Sequence, residues 1–268
     1  DATGDYFGCS VSTAGDVNGD GYSDVIVGGE NHTNGQSQEG KAFIFNGGST
    51  GLNTSTYSWS TESNQVNARL GHSVCTAGDV NGDGYSDVIV GAWTFDNGLS
   101  DEGAVWIHYG SVTGISGNTF LEINSASAVF GSSVAFAGDV NGDGYSDIIV
   151  GASSYSNPEF LEGAAFVFNG SASGISTSPS WSVQGNQTLT NLGISVATAG
   201  DVNGDGYSDV IVGAMNFDNG QTDEGKIQVY HGSQTGLSTT PAWTIESNTT
   251  NACLGVSISS AGDVNGDG

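Results

Sequence analysis

Hydrophobic and polar positions fall into a four-part rhythm that runs four times in full and opens a fifth time. The first part is a run of small alternating residues behind a large apolar residue and a glycine, Phe7-Gly8-Cys9-Ser10-Val11-Ser12-Thr13-Ala14-Gly15. Its counterparts begin at Leu70, Phe130, Leu192 and Leu254. Alternation with period two predicts a strand, and the small side chains suit the crowded inner position of a radial assembly. An Asp/Asn/Gly-rich turn follows. The chain then enters an unbroken β-branched run at 24–28, 87–91, 147–151 and 209–213. Such a run predicts a second strand buried on both faces.

A polar connection of about ten residues comes next, at 30–39, 93–102, 153–162 and 215–224. A third alternating strand is predicted over 40–45, 103–109, 163–168 and 225–230. After a Gly/Ser turn, a fourth is predicted over 57–61, 119–123, 180–183 and 242–245, anchored on Trp59, Phe120, Trp181 and Trp243. These four anchors read as packing between neighbouring units.

The first aspartates of the turns, Asp16, Asp79, Asp139, Asp201 and Asp263, are spaced 63, 60, 62 and 62 residues apart. A fixed period of this length is a repeat architecture. Four short strands per unit predict an all-β fold, a β-propeller of four-stranded blades. The blades are expected at 5–66, 67–127, 128–189 and 190–251, with 252–268 as the first strand and partial loop of a fifth. If four blades closed a ring, the run at 254–261 would compete with the one at 7–14. The expectation is therefore further blades, assembly between chains or an open array. The chain starts and stops inside a repeat, which suggests part of something longer.

The recurring turn, Asp-Val-Asn-Gly-Asp-Gly-Tyr-Ser-Asp, has the chemistry of a calcium loop. Hard Ca²⁺ takes six to eight oxygens. Side-chain oxygens stand at loop positions 1, 3, 5 and 9, with a backbone carbonyl at position 7 and a turn-forming glycine at position 6. The candidate ligands are Asp16, Asn18, Asp20, Tyr22 and Asp24; Asp79, Asn81, Asp83, Tyr85 and Asp87; Asp139, Asn141, Asp143, Tyr145 and Asp147; and Asp201, Asn203, Asp205, Tyr207 and Asp209. Asp263, Asn265 and Asp267 open a fifth set. About one Ca²⁺ is expected per complete repeat. The loop is not an EF-hand, because position 12 is valine and the exit is strand-like rather than helical.

Charge fits this reading. The net charge is −26, from 29 acids against Lys41, Arg69 and Lys226, and 14 of the acids lie in these loops. Without a basic patch, nucleic acid is excluded as a partner. No apolar stretch is long enough for a membrane-spanning helix, so no membrane insertion is expected. Cys9, Cys75 and Cys253 stand at unequal offsets from their loops and read as small buried residues rather than a disulfide framework. His32, His72, His108 and His231 form no repeated constellation, and no catalytic group is predicted.

The unit resembles the FG-GAP repeat of the integrin alpha-subunit head and its bacterial secreted relatives. The resemblance rests on Phe7-Gly8 and Phe130-Gly131, with Leu-Gly in the other units, and on Gly91-Ala92, Gly151-Ala152 and Gly213-Ala214, with Gly28-Gly29 in the first. The proline that ends the family motif is absent in every unit. The resemblance implies a calcium-stabilised, secreted or cell-surface propeller of bacterial type, serving adhesion or recognition, with calcium loops on the face opposite the ligand side. On that ligand side Trp93, Phe95, Tyr155, Phe160, Met215 and Phe217 are candidate contacts for a protein or glycan at the cell surface. The acidic runs 96–102 and 218–224 lie beside them. Two alternatives are a subunit of an extracellular filament, self-associating into fibres, and a lectin-like propeller.

Overall fold

The computed structural model describes residues 4–53 and 55–262. Sixteen strands form four four-stranded antiparallel sheets, each in chain order. The first contains β1 (Phe7–Gly15), β2 (Asp24–Gly29), β3 (Lys41–Phe45) and β4 (Trp59–Glu62). The second contains β5 (Leu70–Gly78), β6 (Asp87–Ala92), β7 (Ala104–His108) and β8 (Asn118–Leu121). The third contains β9 (Phe130–Gly138), β10 (Asp147–Ala152), β11 (Ala164–Phe168) and β12 (Trp181–Gln184). The fourth contains β13 (Leu192–Gly200), β14 (Asp209–Ala214), β15 (Lys226–Tyr230) and β16 (Trp243–Glu246). No helix occurs among the described residues, and the sheets are the blades of a β-propeller.

The β-branched second strands are the most enclosed, and every residue of β6 and β10 is buried. β6 and β10 belong to the two middle blades and have a neighbouring blade on either side, as an apolar run without alternation requires. The core is accordingly divided into three layers, one at each junction between successive blades. Phe130, Ile148 and Phe168 fill the middle layer against Ile89 and Ile107.

Neighbouring blades approach closely at their inner strands. β1, β5, β9 and β13 pack in chain order, and β13 makes no comparable contact with β1 among the described residues. A serine on each inner strand spans the step. Ser10, Ser73 and Ser133 accept through Oγ the backbone N–H of Val74, Val134 and Val196, at 3.0, 3.1 and 3.1 Å. Side chains larger than serine would hold these strands apart.

Two expectations are corrected. The inner strand expected over 254–261 is not formed among the described residues. Leu254 makes a parallel bridge to Gly225, and residues 256–262 lie in no strand. In the other blades that run is held by an antiparallel ladder to the second strand of its own blade, and no second strand follows it among the described residues. The cysteines are not buried: Cys9 is exposed, Cys75 and Cys253 are half-buried, and all three are free thiols. Cys9 stands on β1, whose outward positions Phe7 and Val11 are also exposed.

Candidate calcium loops and the opposite loop face

The four complete loops share one hydrogen-bond pattern. In the second, Asp79 Oδ1 accepts the N–H of Gly82 at 2.7 Å and of Asp83 at 3.1 Å, while Oδ2 accepts that of Gly84 at 2.9 Å. Asn81 Oδ1 accepts the Asp83 N–H, and Asp83 Oδ1 accepts that of Tyr85. The amides can converge because Gly82 and Gly84 take φ of +72° and +89°, which a side chain would resist. Asp87, at position 9, is fully buried. Its Oδ2 accepts the Val80 N–H at 2.9 Å, and its Oδ1 accepts the Gly110 N–H at 2.8 Å, tying the loop to the turn between β7 and β8. Asp24, Asp147 and Asp209 make the same two bonds in their blades.

Burial pushes the carboxyls of Asp87 and Asp147 up to about 7; the two amide donors oppose the shift, and the neighbouring loop aspartates add to it. Asp24 and Asp209 are raised for the same leading reason. Asp201, at the solvent-facing position 1, is held below the usual range, chiefly by the Gly206 amide.

Each loop therefore gathers three carboxylates, and among the described residues no Lys, Arg or His forms an ion pair with any of them. Nor do three Asp, Glu, His or Cys side chains converge on one point among the described residues, so the oxygens are placed by backbone amides rather than packed as a bare cluster. An all-oxygen donor set with uncompensated negative charge fits a hard divalent cation. Asp16, Asn18, Asp20 and Asp24 with the Tyr22 carbonyl, and their equivalents in the next three blades, would hold it. Asp263, Asn265 and Asp267 lie outside the described residues.

Position 9 also works as a strut. Asp87→Ala leaves two buried amides without an acceptor, a loss of about 2–4 kcal/mol. Urea titrations of the variant and the parent should show this gap in chelator as well as in calcium. A gap confined to calcium would make Asp87 a metal ligand alone.

Sequence reasoning missed the side chains at loop positions 7 and 8. The Tyr85 ring lies against the preceding loop, and a Cβ added to Gly19 would meet it at 2.6 Å. Ser86 N–H donates to the Asp16 carbonyl at 3.0 Å, and Ser86 Oγ accepts the Asp16 N–H at 3.2 Å. Tyr145 and Ser146 do the same for the second loop. The first three loops are thus each closed by the blade after them, the third by Tyr207 and Ser208. The signal lay in the invariance of Tyr-Ser across the copies, a pair that oxygen coordination alone does not require.

At the other end of the blades lie the loops between second and third strands. Glu39, Glu102, Glu162 and Glu224 end these loops and are fully buried. Each caps its own loop through Oε1, Glu162 for instance accepting the Asn157 N–H at 2.7 Å. Glu39, Glu102 and Glu162 also receive at their carbonyls the first N–H of the next inner strand, and Glu224 receives that of Leu254. The acidic runs 96–102 and 218–224 therefore end in internal carboxylates rather than displayed ones.

Of the six candidate contact residues on this face, Phe160 is 61% exposed. Trp93 stacks on His72 at 4.8 Å, and the Arg69 guanidinium lies 5.4 Å from its ring centre. Phe95 packs edge-on against Trp106 and Phe120. Tyr155 packs on Phe166, and Phe217 lies under the Lys226 ammonium at 3.8 Å. Met215 is half-buried. Of the histidines, His108 is buried beside Trp59, and burial lowers its pKa to about 4.

The model of the FG-GAP repeat matches residues 7–45, 70–108, 130–168 and 192–230. Integrin alpha-4 of Xenopus laevis is 32% identical over 218 residues, covering 79% of this chain and 20% of its own length. Integrin alpha-5 of Xenopus laevis and integrin alpha-V of Gallus gallus are each 34% identical, over 80% of this chain and 20% of their own. The chain thus spans about a fifth of the length of these relatives.

Proposed function

The chain belongs to the FG-GAP repeat family, and on that premise we propose that it is a calcium-stabilised, extracellular adhesion or recognition module. The observation that carries the reading is the division of labour between the two ends of the blades. One end is given over to four identical aspartate loops, of which the first three are clasped by the following blade. The other end carries loops whose sequences differ from blade to blade on a common buried-glutamate frame. A rigid scaffold with variable loops at one end is a recognition surface. The similarity to integrin alpha chains supports a protein partner at a cell surface. Among the described residues no helix is long and apolar enough to cross a membrane.

Immobilised chain should support attachment of cells in millimolar calcium, and Phe160→Asp should reduce attachment several-fold without changing the melting temperature. Attachment no greater than to an albumin-coated surface would overturn the reading.

A further inference from the structure

We propose that the cleft between the first and second blades, at the aspartate-loop end, binds a neutral saccharide. This site lies at the opposite end of the blades from the recognition face above and does not depend on it.

The three junctions between blades are built alike, which makes their differences informative. At the second junction the space beside the loop is filled by Tyr109. Its hydroxyl bonds Thr119 Oγ1 at 2.7 Å, accepts the Ile175 N–H at 3.3 Å, and lies 2.5 Å from where a Cβ on Gly174 would be. At the third junction the space is sealed by Trp181, 7% exposed, whose indole N–H donates across the junction to the Ser238 carbonyl at 2.9 Å. The first junction has neither plug. The register of β3 and β7 puts Asn46 where Tyr109 stands. Trp59 occupies the place of Trp181, yet among the described residues its indole N–H has no partner, and the ring is only half-buried. A cleft of about 440 Å³ remains.

Its walls define the ligand class. Asn18, Asp20, Asn46, Ser58 and Thr113 bring amide, carboxylate and hydroxyl groups to the rim, and Trp59 adds an indole with Ile44 beneath. Asn46 Oδ1 is already committed to the Ser58 hydroxyl at 2.5 Å, which fixes the amide with its N–H donors uncommitted among the described residues. Asp20 is also committed, accepting the Tyr22 N–H and the Asn18 amide. No cationic side chain lines the cleft, and the chain's charge of −26 repels anions. An apolar floor with a few fixed polar groups, in a cleft within the usual range of about 300–1,000 Å³, suits a small neutral ligand. A sugar ring presents hydroxyls at its edge and C–H groups on one face, the pairing offered by Asn46 and Trp59.

The test is saturation-transfer NMR with glucose, galactose, mannose, fucose and N-acetylglucosamine, each at up to about 10 mM in calcium, against an affinity no weaker than about 1 mM. At least one sugar should receive saturation. Asn46→Tyr, which copies the plug of the second junction, should weaken its binding at least tenfold with no change in melting temperature. Should N46Y fail to fold, W59F carries the test, since it keeps a ring but removes the unpartnered N–H and should weaken binding about threefold. No transfer from the folded protein to any of these sugars overturns the proposal, as does binding by the folded variant equal to that of the parent.

Discussion

Withdrawing calcium should lower the melting temperature of this chain by about 10–20 °C. Extracellular calcium modules bind with dissociation constants of about 10⁻⁴–10⁻³ M. At millimolar Ca²⁺ a site at the tight end of that range adds about 1.4 kcal/mol to the folded state. Four complete loops then add about 5–6 kcal/mol, and each kcal/mol moves the midpoint of a domain this size by about 2–4 °C. Beyond the backbone amides, no basic side chain among the described residues forms an ion pair with the loop aspartates to offset their charge. Scanning calorimetry in millimolar calcium and in excess chelator measures the difference. Equilibrium dialysis should find four ions per chain, and three in Asp143→Ala. Identical melts in the two buffers would remove calcium from the account of stability.

The second large effect is expected at glycines where blades meet. A Cβ on Gly91 would stand 2.2 Å from the Gly131 carbonyl oxygen, and one on Gly151 would stand 2.0 Å from that of Gly193. Both obstacles are backbone atoms of the neighbouring inner strand, so no rotamer change relieves them. Overpacking a tight interior costs about 1–3 kcal/mol and more where the backbone must move. Gly151→Ala should therefore lose about 3 kcal/mol or more. Gly48→Ala is the control, because its nearest neighbour is at 3.8 Å and its φ is not positive. It should be neutral within about 0.5 kcal/mol. Equal chemical denaturation midpoints for the two variants would show that the blades can shift apart freely.

The repeat made the fold legible. A nine-residue turn followed by a β-branched run recurs every 60–63 residues and marks strand two, and the alternation on either side marks strands one and three. Strand four was placed less well: the structure starts β4 at Trp59 where 57 was expected and ends β8 at Leu121 where 123 was expected. Its limits are set by pairing with the third strand, as in Lys41↔Glu62 and Ile44↔Trp59, and local sequence carries no record of that register. The loop aspartates were visible because oxygen chemistry has a spacing. The struts formed by position 9, the Tyr-Ser clasp and the buried glutamates were not, because they depend on which chain segment lies across a junction. The same blindness affected the aromatic residues: Trp93, Phe95, Tyr155 and Phe217 read alike with Phe160, yet only packing separates rings held within the fold from one that is exposed.

The clasp orders events in time as well as in space. Asp16 is bonded by Ser86, Asp79 by Ser146 and Asp139 by Ser208, each partner arriving 67–70 residues later along the chain. During synthesis no aspartate loop can reach its final form until the following unit has left the ribosome and folded. At about 5–20 residues per second that lag is several seconds. Loop maturation therefore advances along the nascent chain one unit behind the folding front, and the most recently made loop is always the one whose charges still lack their clasp.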